Sequence, residues 1–530
     1  MNRRARLRRA LVLPLLAAVA ALVFVTPAEA ATTYVPISGA GSTWSSNAID
    51  AWRANVAQFG MKVNFQASGS SDGRNQFGNG TVDFGVSEIP YGRSDNGVVD
   101  SPPARKFAYM PIVAGGTSFM YNLVAGGKRV ENLRLSGETV TKMFTGVIKK
   151  WDDPAIKADN PGLSLPALQV VPVVRSDGSG TTAQFSLWMS KRYPSLWNAY
   201  CKKAGRKSNP CGETSNYPVV PGSGFTAQNG SLGVSGYVAQ KSSVGSITYV
   251  EYSYPLNQNF PVAKLLNDSG YYTLPTASNV AVGLLKATIN SDLTQNLDGV
   301  YGNGDRRTYP LSSYSYMIIP TKAEGSFTEA KGKTLGAFAY YFLCEGQQQA
   351  PKLGYSPLPI NLVKAGLTQV DKIPGRTDQN IDIKKCNNPT FSSDGTNTLA
   401  RTAPYPPACD KKGSTQCGAD GKTATSGGGS GNGSGNGSGN GSGGTTPNAT
   451  TGAGTGAGTG AAIDPDTGLP IDGSLTSGST DVNALAVQSP TGYADSPVRF
   501  ALIGLAAFAL VGVAFGPPLL TRALGGRRSS

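Results

Sequence analysis

Short apolar runs alternate along this chain with turns rich in glycine and hydroxyl residues. Between Val63 and Gln66 apolar and polar positions alternate, which is the period of a strand with one buried face. The turn Gly69–Gly73 follows this run directly. Between residues 44 and 59 apolar positions recur instead at helical spacing, on one face formed by Ala48, Ile49, Trp52, Val56 and Phe59. The chain therefore combines strands with amphipathic helices.

The succession of a strand, a glycine-rich turn and a helix occurs three times. The three stretches are YVPISGAGST before the helix at 44–59, VNFQASGSSDG before RNQFGNG, and QVVPVVRSDGSGTTAQFSLWM. Ser42 and Thr43 stand where the cap of a helix belongs. Repeated units of this kind predict an α/β body with mostly parallel sheets, whose ligands bind at the carboxyl ends of the strands.

The third turn, in VVRSDGSGTT, carries the residue types of an anion site. Amides at a helix N-terminus are unpaired, the positive end of the helix dipole lies behind them, and glycine lets the backbone approach closely. The turn residues that fit this role are Ser179, Gly180 and Thr181. Arg175 adds a guanidinium fork suited to a tetrahedral oxyanion, and Asp177 can hold that fork in place. Taken alone, the stretch is equally compatible with a tight turn and a helix cap.

The composition of the chain excludes most kinds of enzyme catalysis. The chain has 530 residues, a formal net charge of +14 and no histidine, so Ser-His and Cys-His nucleophile pairs and His-ligated zinc are excluded. Gly69–Gly73 matches a G-x-S-x-G nucleophile elbow, but the histidine of its triad is missing. No phosphate-binding P-loop motif occurs. Trp151-Asp152-Asp153 offers two neighbouring carboxylates for a paired-carboxylate site, but we interpret it as a solvated loop or interlobe surface. We expect a protein that is not an enzyme and needs no cofactor or metal.

The two ends of the chain carry export and membrane signals. Residues 1–30 combine a basic start, an apolar run and Ala28-Glu29-Ala30, as in a cleaved signal peptide. An apolar run of transmembrane length predicts a helix at 499–521, and the basic tail 522–530 places its end in the cytoplasm. Much of the positive charge lies at these ends, so nucleic acid is not expected as a partner.

A linker and a folded body lie between these signals. Residues 418–498 include long Gly, Ser, Asn and Thr repeats that cannot bury a core, and they predict a flexible tether with a reach of about 50 Å. The body, 31–417, contains all the cysteines: Cys201, Cys211, Cys344, Cys386, Cys409 and Cys417. An even number in an exported chain predicts disulfides. Short loops close most readily, which favours sequential pairing, although fifteen connectivities are open.

Several linked motifs give the body a family resemblance. They are GAGST at 39–43, VNFQASGSSDG, GTVDFG at 80–85, IKKWDDPAI at 148–156, PGLSLP at 161–166, RSDGSGT at 175–181 and ITYVEYSY at 247–254. In this order and spacing they resemble the phosphate-binding proteins of bacterial phosphate ABC transporters. The resemblance covers about residues 34 to 370.

The resemblance implies a two-lobed periplasmic-binding-protein fold of type II. Lobe 1 would comprise about 31–113 and 318–417, and lobe 2 about 114–317, with crossings near 109–122 and 309–320. Such a protein closes as a monomer on one inorganic phosphate and delivers it to ABC permease subunits in the membrane.

The resemblance also implies a set of phosphate ligands. They are Ser42, Thr43 and the Trp44 amide from the first loop, Ser70 from the second, and Arg175, Ser179, Gly180 and Thr181 from the third, with Asp177 behind Arg175. The family usually has an aspartate where this chain has Glu88, a carboxylate that is one methylene longer. We expect Glu88 to accept a hydrogen bond from phosphate.

A second function class is open at this point. A transmembrane helix with a long Gly/Ser linker is an unusual anchor for a transport receptor. A cell-surface protein that senses phosphate or contacts a partner, and uses the same fold without transport, is therefore the alternative hypothesis.

Overall fold

The computed structural model describes residues 34–378, 383–392 and 394–417. All of them belong to one compact unit of the chain. The predicted signal peptide, linker, transmembrane helix and basic tail lie outside these residues. Within the described ranges no helix is both long and apolar enough to cross a membrane.

Eight strands form one continuous mixed sheet. In chain order they are β1 (Ile37–Gly41), β2 (Val63–Gln66), β3 (Phe84–Ser87), β4 (Phe107–Tyr121), β5 (Val171–Arg175), β6 (Thr226–Gln228), β7 (Ser246–Glu251) and β8 (Ser312–Pro320). Their order across the sheet is β6-β5-β7-β4-β8-β3-β1-β2. Strand β1 pairs in parallel with β2 and β3, and β5 does so with β6 and β7. The predicted parallel pairing therefore holds in the two outer parts, whereas the centre is antiparallel.

The antiparallel centre consists of β4 and β8. Strand β8 pairs with β4 from Pro320 opposite Phe107 to Ser312 opposite Gly116. Beyond that point β4 continues and pairs with β7, with Thr117 opposite Glu251. Strand β4 is buried from Tyr109 onward because the sheet is covered on both faces, which explains its nearly unbroken apolar sequence. These strands join the two outer parts of the sheet.

Two hydrophobic cores define two lobes. The core of the first lobe is built from residues within 37–114 and 314–373, together with Val280, and contains Trp44 and Trp52. The core of the second lobe lies within 119–311 and contains Trp151 and Trp197. The first lobe is therefore discontinuous in sequence, and β4 and β8 connect it to the second.

Helices flank the sheet. The α-helices are α1 (Ser46–Val56), α2 (Ser70–Gly78), α3 (Gly137–Phe144), α4 (Pro154–Asp159), α5 (Gly180–Arg192), α6 (Pro194–Lys203), α7 (Gly230–Ala239), α8 (Ser253–Asn257), α9 (Ala277–Leu284), α10 (Asp298–Tyr301), α11 (Glu329–Leu343), α12 (Ile360–Val370) and α13 (Thr398–Thr402). Short strands lie at Ser94–Asp95, Val98–Val99, Val124–Ala125, Lys128–Arg129, Arg134–Leu135, Lys264–Leu266, Tyr272–Thr273, Thr288–Ile289 and Gln295–Asn296.

Helix α1 follows the predicted apolar face with one exception. The apolar residues Ala48, Ile49, Trp52 and Val56 are buried, and the Trp52 ring stacks on Phe342 of α11 at 5.2 Å between centroids. Phe59 was expected on the same face but is 54% exposed. The reason is that α1 ends at Val56 and the chain tightens into a 3₁₀ turn, Ala57–Phe59, which rotates this ring away from the core.

The end of the body packs on the second lobe, which corrects the predicted boundary of lobe 1 at residue 417. The buried guanidinium of Arg134 donates to the carbonyl oxygens of Cys409 and Ser414, both at 2.8 Å. Gln416 Nε2 donates to Asn132 O at 2.8 Å. A buried guanidinium needs acceptors for its N–H groups, and this segment supplies them.

Three disulfides are present, and their pairing is sequential. They join Cys201 to Cys211, Cys344 to Cys386, and Cys409 to Cys417. No described cysteine is free. The first disulfide closes the basic segment CKKAGRKSNPC, and the third closes the segment that contacts Arg134.

Candidate anion-binding site

The turns that follow the parallel strands of the two lobes meet at one place. In the first lobe these turns follow β1 and β2, and Glu88 follows β3 directly. In the second lobe they follow β5 and β6. Across the lobes Ser71 N donates to Gly178 O at 3.1 Å. The carboxyl edges of both parallel parts of the sheet therefore face each other, which is where a ligand of such a fold binds.

Glu88 is the buried acceptor of three serine hydroxyls. Its side chain has no exposed surface. Ser42 Oγ lies 2.7 Å from Oε1 and 2.8 Å from Oε2, Ser70 Oγ lies 2.8 Å from Oε2, and Ser315 Oγ lies 2.7 Å from Oε1. Burial raises the pKa of Glu88, while the hydrogen bonds from Ser42, Ser315 and Ser70 act against that rise.

Helix α5 begins against this carboxylate. Ser179 caps the helix, because its Oγ accepts from Thr182 N at 3.2 Å. Gly180 N donates to Ser70 Oγ at 3.1 Å. A β-carbon built on Gly180 would lie 2.5 Å from Ser70 Oγ and 2.9 Å from Glu88 Cδ. Only glycine therefore allows the helix N-terminus of the second lobe to approach the Glu88 carboxylate of the first.

Arg175 is buried and its fork is held by two partners. Nε donates to Asp177 Oδ1 at 2.7 Å, Nη2 pairs with Asp177 Oδ2, and Nη1 lies 3.4 Å from Ser231 Oγ. Asp177 Oδ1 also accepts from Gly230 N at 2.9 Å. Burial alone would raise the pKa of Asp177, but the hydrogen bond and charge of Arg175 and the Gly230 amide outweigh it and lower the pKa. Asp177 is therefore an ionised partner that fixes the Arg175 fork.

The first loop contributes Thr43 and Trp44. Thr43 Oγ1 lies 2.7 Å from Ser231 Oγ and accepts from Ser231 N at 3.3 Å, which joins the two lobes. The Trp44 amide donates to Ser42 Oγ at 3.0 Å. In the second lobe Thr181 Oγ1 is buried and has no hydrogen-bond partner among the described residues.

The predicted site residues thus lie in one interlobe cluster. Two further contributors, Ser231 and Ser315, were not predicted from the sequence. Ser231 follows β6 in TAQNGSLGVSG, another strand, glycine and helix succession, so the same pattern could have identified it. Ser315 lies inside β8, in SSYSYMIIP, where no turn signal marks it.

Trp151, Asp152 and Asp153, the alternative candidates from the sequence, have structural roles. Asp153 caps α4, since its Oδ1 accepts from Ala155 N at 2.9 Å, and Asp152 lies 3.9 Å from Lys157 Nζ. The Trp151 indole is buried and donates to Gly245 O at 2.9 Å. Asp152 and Asp153 therefore do not form a paired-carboxylate site.

Comparison with known proteins places the fold in a family. A family profile described as a PBP superfamily domain matches residues 26–345. The phosphate-binding protein PstS of Xylella fastidiosa (strain Temecula1) is 34% identical over 343 residues, which are 64% of this chain and 85% of that protein. The PstS protein of Methanocaldococcus jannaschii is 30% identical over 350 residues, with 63% and 85% covered. The chain belongs to the phosphate-binding protein family.

Solved structures of similar proteins include two further phosphate-binding proteins. One, from Stenotrophomonas maltophilia, has a TM-score of 0.46 and 17% identity and covers 68% of this chain and 99% of that chain. Another, a substrate-binding protein of a phosphate ABC transporter from Clostridium perfringens, has a TM-score of 0.38 and 16% identity, with 61% and 100% covered. The two-lobed binding-protein fold and the absence of an enzymatic role, both expected from the sequence, follow from membership of this phosphate-binding protein family.

This member of the phosphate-binding protein family has a second set of interlobe contacts, which we call the latch. The latch joins the hairpin 93–100 of the first lobe to residues 206–215 of the second. Asp95 pairs with Arg206, and its Oδ2 accepts from Thr214 Oγ1 at 2.9 Å and from Ser215 N at 3.3 Å. Asn96 Oδ1 accepts from the amides of Lys207 and Ser208 at 2.8 and 3.3 Å.

The latch is linked to the anion site and to a disulfide. Ser179 N donates to Ser215 O at 2.9 Å, so the cap residue of α5 is hydrogen-bonded directly to the backbone of the latch. Arg206, Lys207 and Ser208 lie within the loop closed by Cys201 and Cys211. The first lobe therefore contacts part of this basic loop, at its residues 206–208.

Proposed function

We propose that this chain binds inorganic phosphate between its two lobes and delivers it to an ABC importer. The observation that carries this proposal is the meeting of three groups at one place: the N-terminus of α5 at Gly180, the oriented fork of Arg175 and the buried carboxylate of Glu88. The relatives are phosphate-binding proteins by name, which supports the same ligand for this chain.

The first two groups favour a tetrahedral oxyanion. A helix N-terminus combines free N–H groups with a positive dipole end. Arg175 adds a full positive charge, and Asp177 fixes the plane of its fork. Thr181 Oγ1, buried without a partner in the described part of the chain, is available as a further donor.

The third group, the buried carboxylate of Glu88, distinguishes phosphate from sulfate. An ionised carboxylate only accepts hydrogen bonds, and phosphate near neutral pH still carries at least one proton whereas sulfate carries none. Phosphate can donate to Glu88, but sulfate would place two negative groups in contact inside a buried site. Such like-charge contact costs several kcal/mol. Glu88 stands where the family usually has an aspartate, and its carboxylate preserves this selection of phosphate over sulfate.

The cellular setting is proposed from the sequence. The signal peptide at 1–30 exports the chain, and the helix at 499–521 anchors it at the outer face of the cell membrane. The linker 418–498 then holds the body near ABC permease subunits. A surface-sensing role without transport is not favoured by any feature of the site.

Radiolabelled phosphate uptake tests the transport role. In cells that lack the chromosomal copy, the wild-type chain is expected to restore uptake from micromolar phosphate, and a chain with Arg175→Lys is expected to restore much less. Equal expression of both chains is the control. Uptake that does not depend on the chain, while the purified chain binds phosphate, would reject transport and leave binding in place.

A further inference from the structure

Ser315 is connected to the anion site although it lies in the middle of strand β8. Its Oγ lies 2.7 Å from Glu88 Oε1 and 3.1 Å from Ser45 Oγ. Ser315, Ser45 and Glu88 have no exposed surface. The hydroxyl therefore reaches the carboxylate from a strand of the sheet, whereas the turns form the rest of the site.

The directions of the hydrogen bonds around Glu88 follow from the number of protons. A serine hydroxyl has one proton to donate. Ser42 Oγ accepts from Trp44 N, and Ser70 Oγ accepts from Gly180 N, so both hydroxyls can direct their proton to Glu88. Ser315 also gives its proton to Glu88, and the Ser45 hydroxyl then donates to Ser315. Three serine hydroxyls converge on one carboxylate.

These donors nearly fill the carboxylate. Two carboxylate oxygens offer about four acceptor positions. Ser315 Oγ lies 2.7 Å from Oε1 and Ser70 Oγ lies 2.8 Å from Oε2. Ser42 Oγ lies between the two oxygens, 2.7 Å from Oε1 and 2.8 Å from Oε2. Oε2 faces Gly180 and the N-terminus of α5, since a β-carbon on Gly180 would overlap it. Three hydroxyl protons therefore leave about one acceptor position of the carboxylate without a serine donor.

We propose that Ser315 is a positioning residue that sets the ligand specificity of Glu88. By donating to Oε1, Ser315 keeps the carboxylate an acceptor, which a ligand can approach only by bringing a proton. This inference rests on the proposed function, because it concerns how Glu88 selects the phosphate that donates to it.

The effect of removing the Ser315 hydroxyl follows from this geometry. Ser315→Ala leaves Oε1 short of one donor, so the buried carboxyl group takes up a proton more readily. A protonated Glu88 can donate to sulfate and no longer repels it. We expect the ratio of phosphate to sulfate affinity to fall about tenfold, which is the scale of one hydrogen bond to a charged group.

Calorimetric titration of the purified mature chain with phosphate and with sulfate tests the proposal. The matched control is Ser118→Ala, which removes another fully buried serine hydroxyl, one that donates to Val250 O at 2.8 Å away from Glu88. The control is expected to keep the wild-type ratio even if its melting temperature falls. A purely structural role of Ser315 would lower the melting temperature and leave the ratio unchanged, as in the control.

The outcomes separate this inference from the proposed function. An unchanged ratio in Ser315→Ala, with normal phosphate binding by the wild type, overturns the role of Ser315 and leaves the proposed function standing. A wild-type chain that does not bind phosphate overturns the proposed function itself. Where Ser315→Ala does not fold, Ser42→Ala decides: it removes another hydroxyl donor to the Glu88 carboxylate, so an unchanged ratio there also overturns the proposal.

Discussion

Gly180 of the second lobe lies so close to Glu88 of the first that a β-carbon at position 180 would be 2.9 Å from Glu88 Cδ. Glu88 cannot move aside at low cost, because it is fully buried and held by three hydroxyls. Gly180→Ala is therefore expected to hinder the approach of the lobes and to weaken phosphate binding at least tenfold, measured by calorimetry. Gly236→Ala is the control, since a β-carbon there meets nothing within 4 Å. Wild-type affinity in Gly180→Ala would contradict the interlobe position of the site.

Arg175→Lys tests the guanidinium fork. A lysine keeps one positive charge but cannot bridge both carboxylate oxygens of Asp177 and still present N–H groups to an anion. We expect phosphate affinity to fall by on the order of 1.5–3 kcal/mol, the range for hydrogen bonds to charged groups. Arg192→Lys is the matched control, because Arg192 forms a more exposed ion pair with Asp268 on the second lobe. An unchanged affinity in Arg175→Lys would place the anion elsewhere.

The latch provides a kinetic prediction. Asp95→Ala removes the acceptor of Arg206, Thr214 and Ser215, and this acceptor lies in the latch rather than among the anion-site residues. Because these contacts join the lobes, we expect phosphate to dissociate roughly 3- to 10-fold faster, with a smaller change in the association rate, as is usual for contact mutants. Stopped-flow release into a phosphate trap measures this rate.

Asp268→Ala is the control for the latch. It removes an ion pair within the second lobe, with Arg192, and is expected to leave the dissociation rate unchanged. Equal dissociation rates for Asp95→Ala and the wild type would show that the latch does not hold the lobes together.

Whether a residue lies in a turn or inside a strand decides whether its place in the site could be predicted from the sequence. Turns after strands are visible as glycine and hydroxyl clusters, so the sequence could group Arg175, Asp177 and Gly180 in one candidate anion-binding turn, although this stretch alone was equally compatible with a helix cap. Ser315 could not be assigned in this way, because a serine inside a strand looks like any other strand residue and its partner is 227 positions away. The packing of residues 408–417 on Arg134 was also invisible, since a buried arginine and its carbonyl acceptors leave no pattern in the sequence.

Glu251 predicts a pH dependence of stability. It ends β7, is fully buried, and its Oε2 accepts from Ser253 N at 2.8 Å. Burial raises the pKa of Glu251 well above its ordinary value, so the folded chain keeps this proton at a pH where the unfolded chain has lost it. Its stabilising contribution is full below about pH 4.3, the ordinary glutamate pKa, and is lost as pH rises through the folded pKa.

Glu251→Gln removes this titration. We expect the variant to gain melting temperature relative to the wild type at pH 8 and to gain less or nothing at pH 4, measured by differential scanning calorimetry. Glu131→Gln is the control, because the Glu131 side chain is 65% exposed. If the melting temperatures of variant and wild type differ by the same amount at both pH values, the assigned protonation of Glu251 is contradicted.

Calorimetric titration of the phosphate-free mature chain and of its Glu88→Gln variant, each with phosphate and with sulfate at neutral pH and fixed ionic strength, is the most direct test of the anion site. The wild type is expected to bind one phosphate and to bind sulfate far more weakly, because Glu88 accepts a hydrogen bond that only phosphate can donate. Glu88→Gln replaces that acceptor with an amide, and it should bind phosphate more weakly and let sulfate compete. A wild type that binds sulfate as tightly as phosphate, or a variant that keeps full discrimination, would contradict the role of Glu88 and the phosphate site built around it.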